Sequence, residues 1–154
     1  MDRDIIDFKQ IRKDLNHDRY EYIGSGSSRS VYDLENGYVV KAALNYGGLS
    51  QNRLEHKIYM QEQAPLFAPI LTISEDAMFL IMKKGERLSD LNQVLEYYQV
   101  STMQQLIRED YFIKIRETYR LASGDLRRKS SWGMIDEVPV LVDYGYTGSR
   151  KCRR

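Results

Sequence analysis

The sequence has few of the residues that cross-link or interrupt a small protein: one cysteine, Cys152, and three prolines among 154 residues. A single cysteine excludes an intrachain disulfide and a zinc site built on cysteine pairs. The longest apolar segments, such as 77–82, are much shorter than a membrane-spanning helix. The charged N-terminus leads into no apolar signal core. We therefore predict a cytoplasmic protein that does not enter a membrane.

Charge of one sign is lacking as well, because 23 lysines and arginines nearly balance 22 aspartates and glutamates and leave a net charge of +1. The overall charge therefore points to neither nucleic acid nor an anionic membrane surface. Hydrophobic residues make up 42% of the chain and charged residues 29%, as in ordinary globular proteins. A chain of this length is sufficient for one domain with its own hydrophobic core.

The spacing of apolar residues alternates between the helical period and the strand period. Asn36-Gly37 favours a hairpin turn, Tyr46-Gly47-Gly48 predicts a break, and Ser50 and Ser89 are expected to cap helices. The pattern predicts helices at 4–16, 50–63, 89–98 and from 101 or 102 to about 122, and strands at 20–23, 30–34, 38–44, 69–74, 77–83, 133–135 and 138–142.

Four small residues, Gly24, Ser25, Gly26 and Ser27, form a turn between the first two predicted strands. Glycine and serine allow a backbone to approach a phosphate closely and offer N–H donors to it. A tight hairpin without any ligand is the more ordinary explanation of the same residues. A strand follows the turn, so it is not a dinucleotide fingerprint, which requires a helix there.

Lys41 lies in the middle of an apolar predicted strand. A buried ammonium requires an anion nearby, whereas a lysine on an edge strand reaches solvent. Glu55, in the middle of the next predicted helix, is a candidate partner for Lys41, and Glu62 near the end of that helix competes with it. Alternatively, Glu55 is a solvated helix charge or interacts locally with Arg53 or Tyr59.

Two aspartates lie close to glycines at predicted loops, Asp125 directly after Ser123-Gly124, and Asp143 after a buried strand and two residues before Gly145. Aspartates at such positions can hold Mg²⁺ or activate a hydroxyl group. Aspartate next to glycine is also a common turn former, which leaves a structural explanation open for both.

Taken in order, these segments resemble the protein-kinase-like superfamily, with a catalytic loop closer to that of aminoglycoside and choline kinases. The N-terminal part is similar to the glycine-rich loop, the phosphate-pairing lysine and the helix glutamate. The C-terminal part is similar to the hinge, the catalytic loop and the metal-binding Asp-Phe-Gly motif. The residues that carry the resemblance are Gly24-Ser25-Gly26 with Ser27 and Val31, Val39-Val40-Lys41, Glu55, the strand Phe79-Leu80-Ile81-Met82 entering a hinge of Lys83, Lys84 and Gly85, Gly124-Asp125-Leu126 and Asp143-Tyr144-Gly145.

The resemblance implies an α+β fold. It implies an N-lobe with a five-stranded antiparallel sheet and one helix, and a truncated helical C-lobe of about two helices and a short β-hairpin. The single kinase-like domain, 1–154, would comprise a leading helix (1–19), the N-lobe (20–84), the C-lobe (85–147) and a basic tail (148–154). The residues Asn45, Gly48, Gln51-Asn52 and Glu55, with Trp132-Gly133, also resemble small kinase-like proteins of phages and bacteria.

Four features depart from the family pattern. Arg29 replaces the last glycine of the loop, and Ser123-Gly124 replaces the histidine before the catalytic aspartate. The metal-binding asparagine corresponds to Ser130, whose hydroxyl is a poorer neutral ligand for Mg²⁺. The sequence ends nine residues after Gly145, which leaves no room for an activation segment or a substrate platform.

The resemblance implies ATP and Mg²⁺ as cofactors. Lys41 would contact the phosphates, Glu55 would hold Lys41, Asp143 would bind the metal, and Asp125 would be the base for transfer to a protein or small-molecule hydroxyl.

Two other functions stay open. One is a degenerate kinase-fold module, or pseudokinase, that docks on and regulates or inhibits another protein, for example a phage-encoded inhibitor of a host factor. The other, least favoured, is nucleic-acid binding through Arg127-Arg128-Lys129 and the tail, which predicts strong salt dependence. A solvated loop and a frayed terminus explain those basic residues more simply.

Overall fold

A computed structural model describes residues 6–145 of the chain. The basic tail, Cys152 and the first residues of the predicted leading helix lie outside this range. The elements are α1 (Phe8–Asn16), β1 (Glu21–Ser25), β2 (Arg29–Asp33), β3 (Tyr38–Ala43), α2 (Tyr46–Glu62), β4 (Ile70–Ile73), β5 (Phe79–Lys83), β6 (Glu86–Arg87), α3 (Asn92–Tyr98), α4 (Met103–Ile107), α5 (Asp110–Tyr119), α6 (Ser123–Leu126), a 3-10 helix (Lys129–Ser131), β7 (Trp132–Ile135) and β8 (Val138–Leu141).

The described residues divide into two compact units, and each is presented by itself. Unit 1 contains residues 6–62 and 69–84, and unit 2 contains residues 63–68 and 85–145. The chain passes from unit 1 to unit 2 between Lys84 and Gly85, in the segment that the family resemblance assigns to the hinge.

Unit 1 is built on a five-stranded antiparallel sheet in the order β1-β2-β3-β5-β4. Helix α1 packs on one face of this sheet, where Ile11 joins a buried cluster with Val40 and Ile81. Phe8 stacks on Phe79, with ring centroids 6.4 Å apart. Asp7 caps α1 by accepting the backbone N–H of Lys9. Burial of these apolar side chains explains why a helix precedes the sheet.

Helix α2 begins at Tyr46, four residues before the predicted start, so the predicted break at Tyr46-Gly47-Gly48 is wrong. Asn45 caps the helix, because its Oδ1 accepts the N–H of Gly48 at 3.1 Å. A Cβ at Gly48 would overlap the carbonyl oxygen of Ser28 and lie 2.9 Å from Ala43 Cα. Glycine is used here for close packing of the helix on the sheet, and not for a chain break.

Unit 2 combines a three-stranded sheet, in the order β6-β7-β8, with helices α3 to α6. The predicted terminal hairpin is present, and its turn residues Asp136 and Glu137 both have positive φ angles, as a tight hairpin turn requires. Strand β6 extends this hairpin to three strands and was not predicted. Within unit 2, Phe67 packs against Tyr144 with ring centroids 4.6 Å apart and against Tyr119 at 5.2 Å.

Two predicted helices have different limits. The predicted helix from 101 or 102 to 122 is two helices, α4 and α5, because Glu109 adopts an extended backbone conformation between them. Thr102 caps α4, and Arg116 of α5 donates to the carbonyl of Ile107 at the end of α4. The predicted cap at Ser89 is also wrong, since α3 begins only at Asn92.

The α+β class is confirmed, with one helix between the third and fourth strands of the five-stranded sheet. The helical part carries more helices than the two predicted. None of the helices in the described range, 6–145, is long and apolar enough to cross a membrane.

Candidate functional site

Lys41 lies on β3, the central strand of the five-stranded sheet, and its side chain is 4% exposed. The alternative of a solvent-reaching lysine on an edge strand is therefore wrong. Its ammonium Nζ lies 2.9 Å from Oε1 of Glu55. The contact that the sequence favoured is present, and its use in nucleotide binding stays a prediction.

Glu55 is completely buried on α2, so it is not a solvated helix charge. Arg29, which begins β2, binds both of its carboxylate oxygens. The distances are 2.8 Å from Nη1 to Oε1 and 2.9 Å from Nη2 to Oε2. The side chain of Arg29 is itself only 5% exposed. Two cations from neighbouring strands thus share one buried carboxylate, an arrangement that the sequence did not reveal.

The charge state of Glu55 follows from these neighbours. Burial alone raises the pKa of the carboxyl group, because it disfavours the charged form. The positive charges of Arg29 and Lys41, and the hydrogen bonds that they donate, outweigh burial and lower the pKa of Glu55 to about 2. Glu55 is therefore ionised at neutral pH and holds both cations electrostatically.

Asn52, one turn before Glu55 on α2, extends this network. Its Oδ1 accepts a hydrogen bond from Arg29 Nη1 at 3.0 Å, and its Nδ2 donates to the carbonyl of Ala77 at 2.8 Å. Asn52 has no exposed surface. The amide therefore links the helix to β2 and to the turn before β5 by buried hydrogen bonds, which cost more to break than exposed ones.

The predicted glycine turn is a hairpin between β1 and β2. Gly24 pairs with Val31 and Ser25 with Ser30, and the N–H of Gly26 donates to the carbonyl of Arg29 at 3.0 Å. The tip of the turn is fixed to the start of α2. The carbonyl of Ser27 accepts from Asn45 Nδ2 at 3.2 Å, and that of Ser28 accepts from the N–H of Leu44 at 2.8 Å.

The hinge candidates Met82 and Lys83 form the end of β5. The side chain of Met82 is buried, while that of Lys83 is half-buried. The next residue, Lys84, is tied to unit 1 by an ion pair of 2.8 Å with Asp33 and by a backbone hydrogen bond to Gly37.

Asp125 does not lie in an open loop as predicted but in the one-turn helix α6, where it is 5% exposed. Its carboxylate accepts a hydrogen bond from Arg128, and Trp132 Nε1 donates to the neighbouring carbonyl of Leu126 at 2.8 Å. Arg127, Arg128 and Lys129 have exposed side chains.

The metal-ligand candidates Asp143 and Ser130 come close in the backbone of unit 2. The N–H of Val142, the residue before Asp143, donates to the carbonyl of Ser131, the residue after Ser130, at 2.8 Å. Asp143 is half-buried, and Ser130 is exposed. Residues 6–145 contain no cluster of three or more acidic, histidine or cysteine side chains that would hold a metal unaided. Mg²⁺ usually takes one or two protein ligands together with phosphate oxygens, so a carboxylate and a hydroxyl are a chemically suitable pair of ligand types.

Arg29 and Asn52 are the site residues that sequence reasoning missed. From the sequence alone, Arg29 is only a replacement of the last glycine of the loop. The strand register carries the missing signal. Arg29 pairs with Ala43 and Val31 pairs with Lys41, so Arg29 and Lys41 lie on the same face of the sheet.

No protein-family model matches the chain, and no curated protein matches it. Among solved structures, it is similar to APH(2″)-IIa, an aminoglycoside phosphotransferase described in a ternary complex with streptomycin and ATP. The two share 15% identity with a TM-score of 0.50, over 94% of this chain and 71% of that chain. This likeness shows that the chain has a kinase-like fold, as its sequence motifs predicted.

Proposed function

We propose that this chain binds ATP with Mg²⁺ and that Lys41 contacts the phosphates. The observation that carries the proposal is the buried ion pair between Lys41 on the sheet and Glu55 on helix α2 of a kinase-like fold. In kinases, a strand lysine held by a helix glutamate pairs with the phosphates of the nucleotide. The complex of the structural neighbour with ATP supports the choice of nucleotide.

In this proposal the glycine turn covers the nucleotide, with Gly24, Ser25, Gly26 and Ser27 near the phosphates and Val31 near the base. The backbone of Met82 and Lys83 would bind the edge of the base. The turn is already closed by its own hydrogen bonds and is anchored to α2, so it needs little ordering on binding.

Asp143 and Ser130 are the proposed ligands of Mg²⁺, which would neutralise phosphate charge. Asp125 is the proposed base, which would accept the proton of the protein or small-molecule hydroxyl group that receives the phosphate. The burial of Asp125 and its bond to Arg128 favour a second candidate function, since a base must reach its acceptor. That candidate is a kinase-fold module that docks on another protein without phosphate transfer.

A thermal-shift titration with ATP and Mg²⁺ tests the proposal. A ligand that binds only the folded state stabilises it by about 2.7 kcal/mol at a hundredfold excess over the dissociation constant. We expect the wild type to be stabilised and Lys41→Ala to lose most of the shift. Lys57→Ala, a change of an exposed lysine on the same helix as Glu55, is the matched control and should retain it.

Absence of a shift, or an equal shift in Lys41→Ala, would overturn nucleotide binding at this lysine. Production of ADP that Asp125→Asn abolishes would favour phosphate transfer. ATP binding without turnover, together with a stable protein complex that survives Lys41→Ala, would favour the docking module.

A further inference from the structure

Arg29 stands out because its guanidinium takes both oxygens of Glu55, whereas Lys41 binds Oε1. We propose that Arg29 is a positioning residue that fixes Glu55 in the orientation in which it holds Lys41, so that the Lys41–Glu55 pair is assembled before any ligand binds. The consequence for ligand binding rests on the proposed contact of Lys41 with phosphate.

The geometry supports this role directly. A glutamate side chain has three rotatable bonds, and a single hydrogen bond leaves its carboxylate free to turn. Two parallel N–H···O bonds from a planar guanidinium fix both the position and the plane of the carboxylate. With Oε1 and Oε2 set by Arg29, Oε1 lies where the Lys41 ammonium meets it at 2.9 Å.

The surrounding contacts hold the helix as well as the side chain. Arg29 Nη1 also donates to Asn52, which is bonded to the carbonyl of Ala77, so two residues of α2 are tied to the sheet. Gly48 at the start of α2 lies against the backbone of Ser28, next to Arg29. Moving Glu55 away from Lys41 would break several buried polar contacts at once, which is costly. These contacts hold Glu55 of α2 beside Lys41 in the ligand-free protein.

A purely space-filling role for Arg29 makes a different prediction. Methionine is unbranched and fills the part of the volume that the aliphatic stem of arginine occupies, without charge. If Arg29 only packed the core, Arg29→Met would leave the environment of the Lys41 ammonium unchanged. If Arg29 positions Glu55, the same change lets the carboxylate rotate and loosens Lys41.

The experiment measures Lys41 directly in the ligand-free protein, by NMR of the ¹⁵N-labelled side-chain ammonium groups. The Lys41 Nζ resonance is assigned by its loss in Lys41→Ala. We expect Arg29→Met to shift this resonance toward that of exposed lysines and to accelerate exchange of its protons with water. Arg29→Lys, which keeps the charge but lacks the two-pronged geometry, should give an intermediate result. Arg53→Met, a change of an exposed arginine on α2, is the matched control and should leave the resonance unchanged.

Calorimetric titration with ATP and Mg²⁺ is the second measurement. We expect Arg29→Met to weaken binding about tenfold, the order expected for loss of one charge-assisted contact. Arg53→Met should not weaken it.

The two measurements separate the two proposals. If the wild type binds no ATP, the proposed function fails, while the Lys41 resonance still tests the role of Arg29. An unchanged resonance in Arg29→Met overturns that role, whatever the ATP affinity. Should Arg29→Met prove unfolded by circular dichroism, an unchanged resonance in Arg29→Lys overturns it equally.

Discussion

The Glu55 carboxylate has no exposed surface and is bound by two cations, Arg29 and Lys41. We therefore expect the free energy of unfolding to depend on pH in the acidic range. The pKa of Glu55 is lowered from 4.5 to about 2 in the folded state, so the folded protein binds fewer protons than the unfolded chain between these values. The stabilisation is complete above the unfolded pKa and is lost as the pH falls toward the folded one. We expect a loss of about 2 kcal/mol between pH 5 and pH 3 from this residue, measured by urea denaturation.

Other carboxylates with lowered pKa, Asp14, Asp33 and Asp76, act in the same direction, so a reference variant is required. The double variant Arg29→Met with Glu55→Gln removes the buried carboxylate together with one cation and retains the other acids. It should lose less stability than the wild type over the same pH interval. Equal losses in both proteins would contradict a lowered pKa at Glu55.

At the scale of elements, the contact between α2 and the sheet depends on Gly48. Alanine at this position would overlap the carbonyl of Ser28 and crowd Ala43, and both obstacles include backbone atoms. We expect Gly48→Ala to lower the free energy of unfolding by about 1–3 kcal/mol, as overpacking usually does, despite the better helix propensity of alanine. Urea denaturation followed by circular dichroism measures this change.

Gly24→Ala is the control for this prediction. A Cβ at Gly24 would meet no atom within 4 Å, and the φ angle of Gly24 is not positive. We expect its unfolding free energy to stay within about 0.5 kcal/mol of the wild type. If Gly48→Ala proved equally harmless, the close approach of α2 to the β1–β2 hairpin would be refuted.

At the scale of the whole molecule, the short segment 63–68 matters more than its length suggests. It follows α2 in sequence but belongs to unit 2, where backbone hydrogen bonds join Leu141 to Leu66 at 2.7 Å and to Ala68 at 2.9 Å. Phe67 is 1% exposed between Tyr119 and Tyr144. We expect Phe67→Ala to destabilise the protein by roughly 3–5 kcal/mol and to reduce hydrogen-exchange protection at the Leu141 amide.

Tyr97→Ala provides the comparison within unit 2. Tyr97 is half exposed, so its truncation should cost roughly 1 kcal/mol or less and should leave the Leu141 amide protected. Comparable effects of the two variants would show that Phe67 does not anchor this unit.

That residues 1–154 function as one kinase-like domain stays a prediction.

Elements whose signals are local could be predicted from the sequence. The Asn36-Gly37 turn and the period-two run through Lys41 predicted β2 and β3. The small residues at 24–27 indicated the turn between β1 and β2, although Gly24 and Ser25 themselves belong to β1. Local signals were also enough to suggest that Glu55 meets Lys41, because one helix follows directly on one strand.

Features that depend on distant parts of the chain could not be predicted, because the contacts that define them form only in the folded protein. In the sequence, Gly48 favoured a chain break before α2. The structure shows instead that it allows close packing against Ser28, because glycine is used for close packing as well as for turns. The role of Arg29 required a partner 26 residues away, and Asn52 required the carbonyl of Ala77. A buried charge or amide without a hydrogen-bond partner is costly, so each of these side chains requires a partner. That partner can lie far away in the sequence, because the fold determines which groups are close in space.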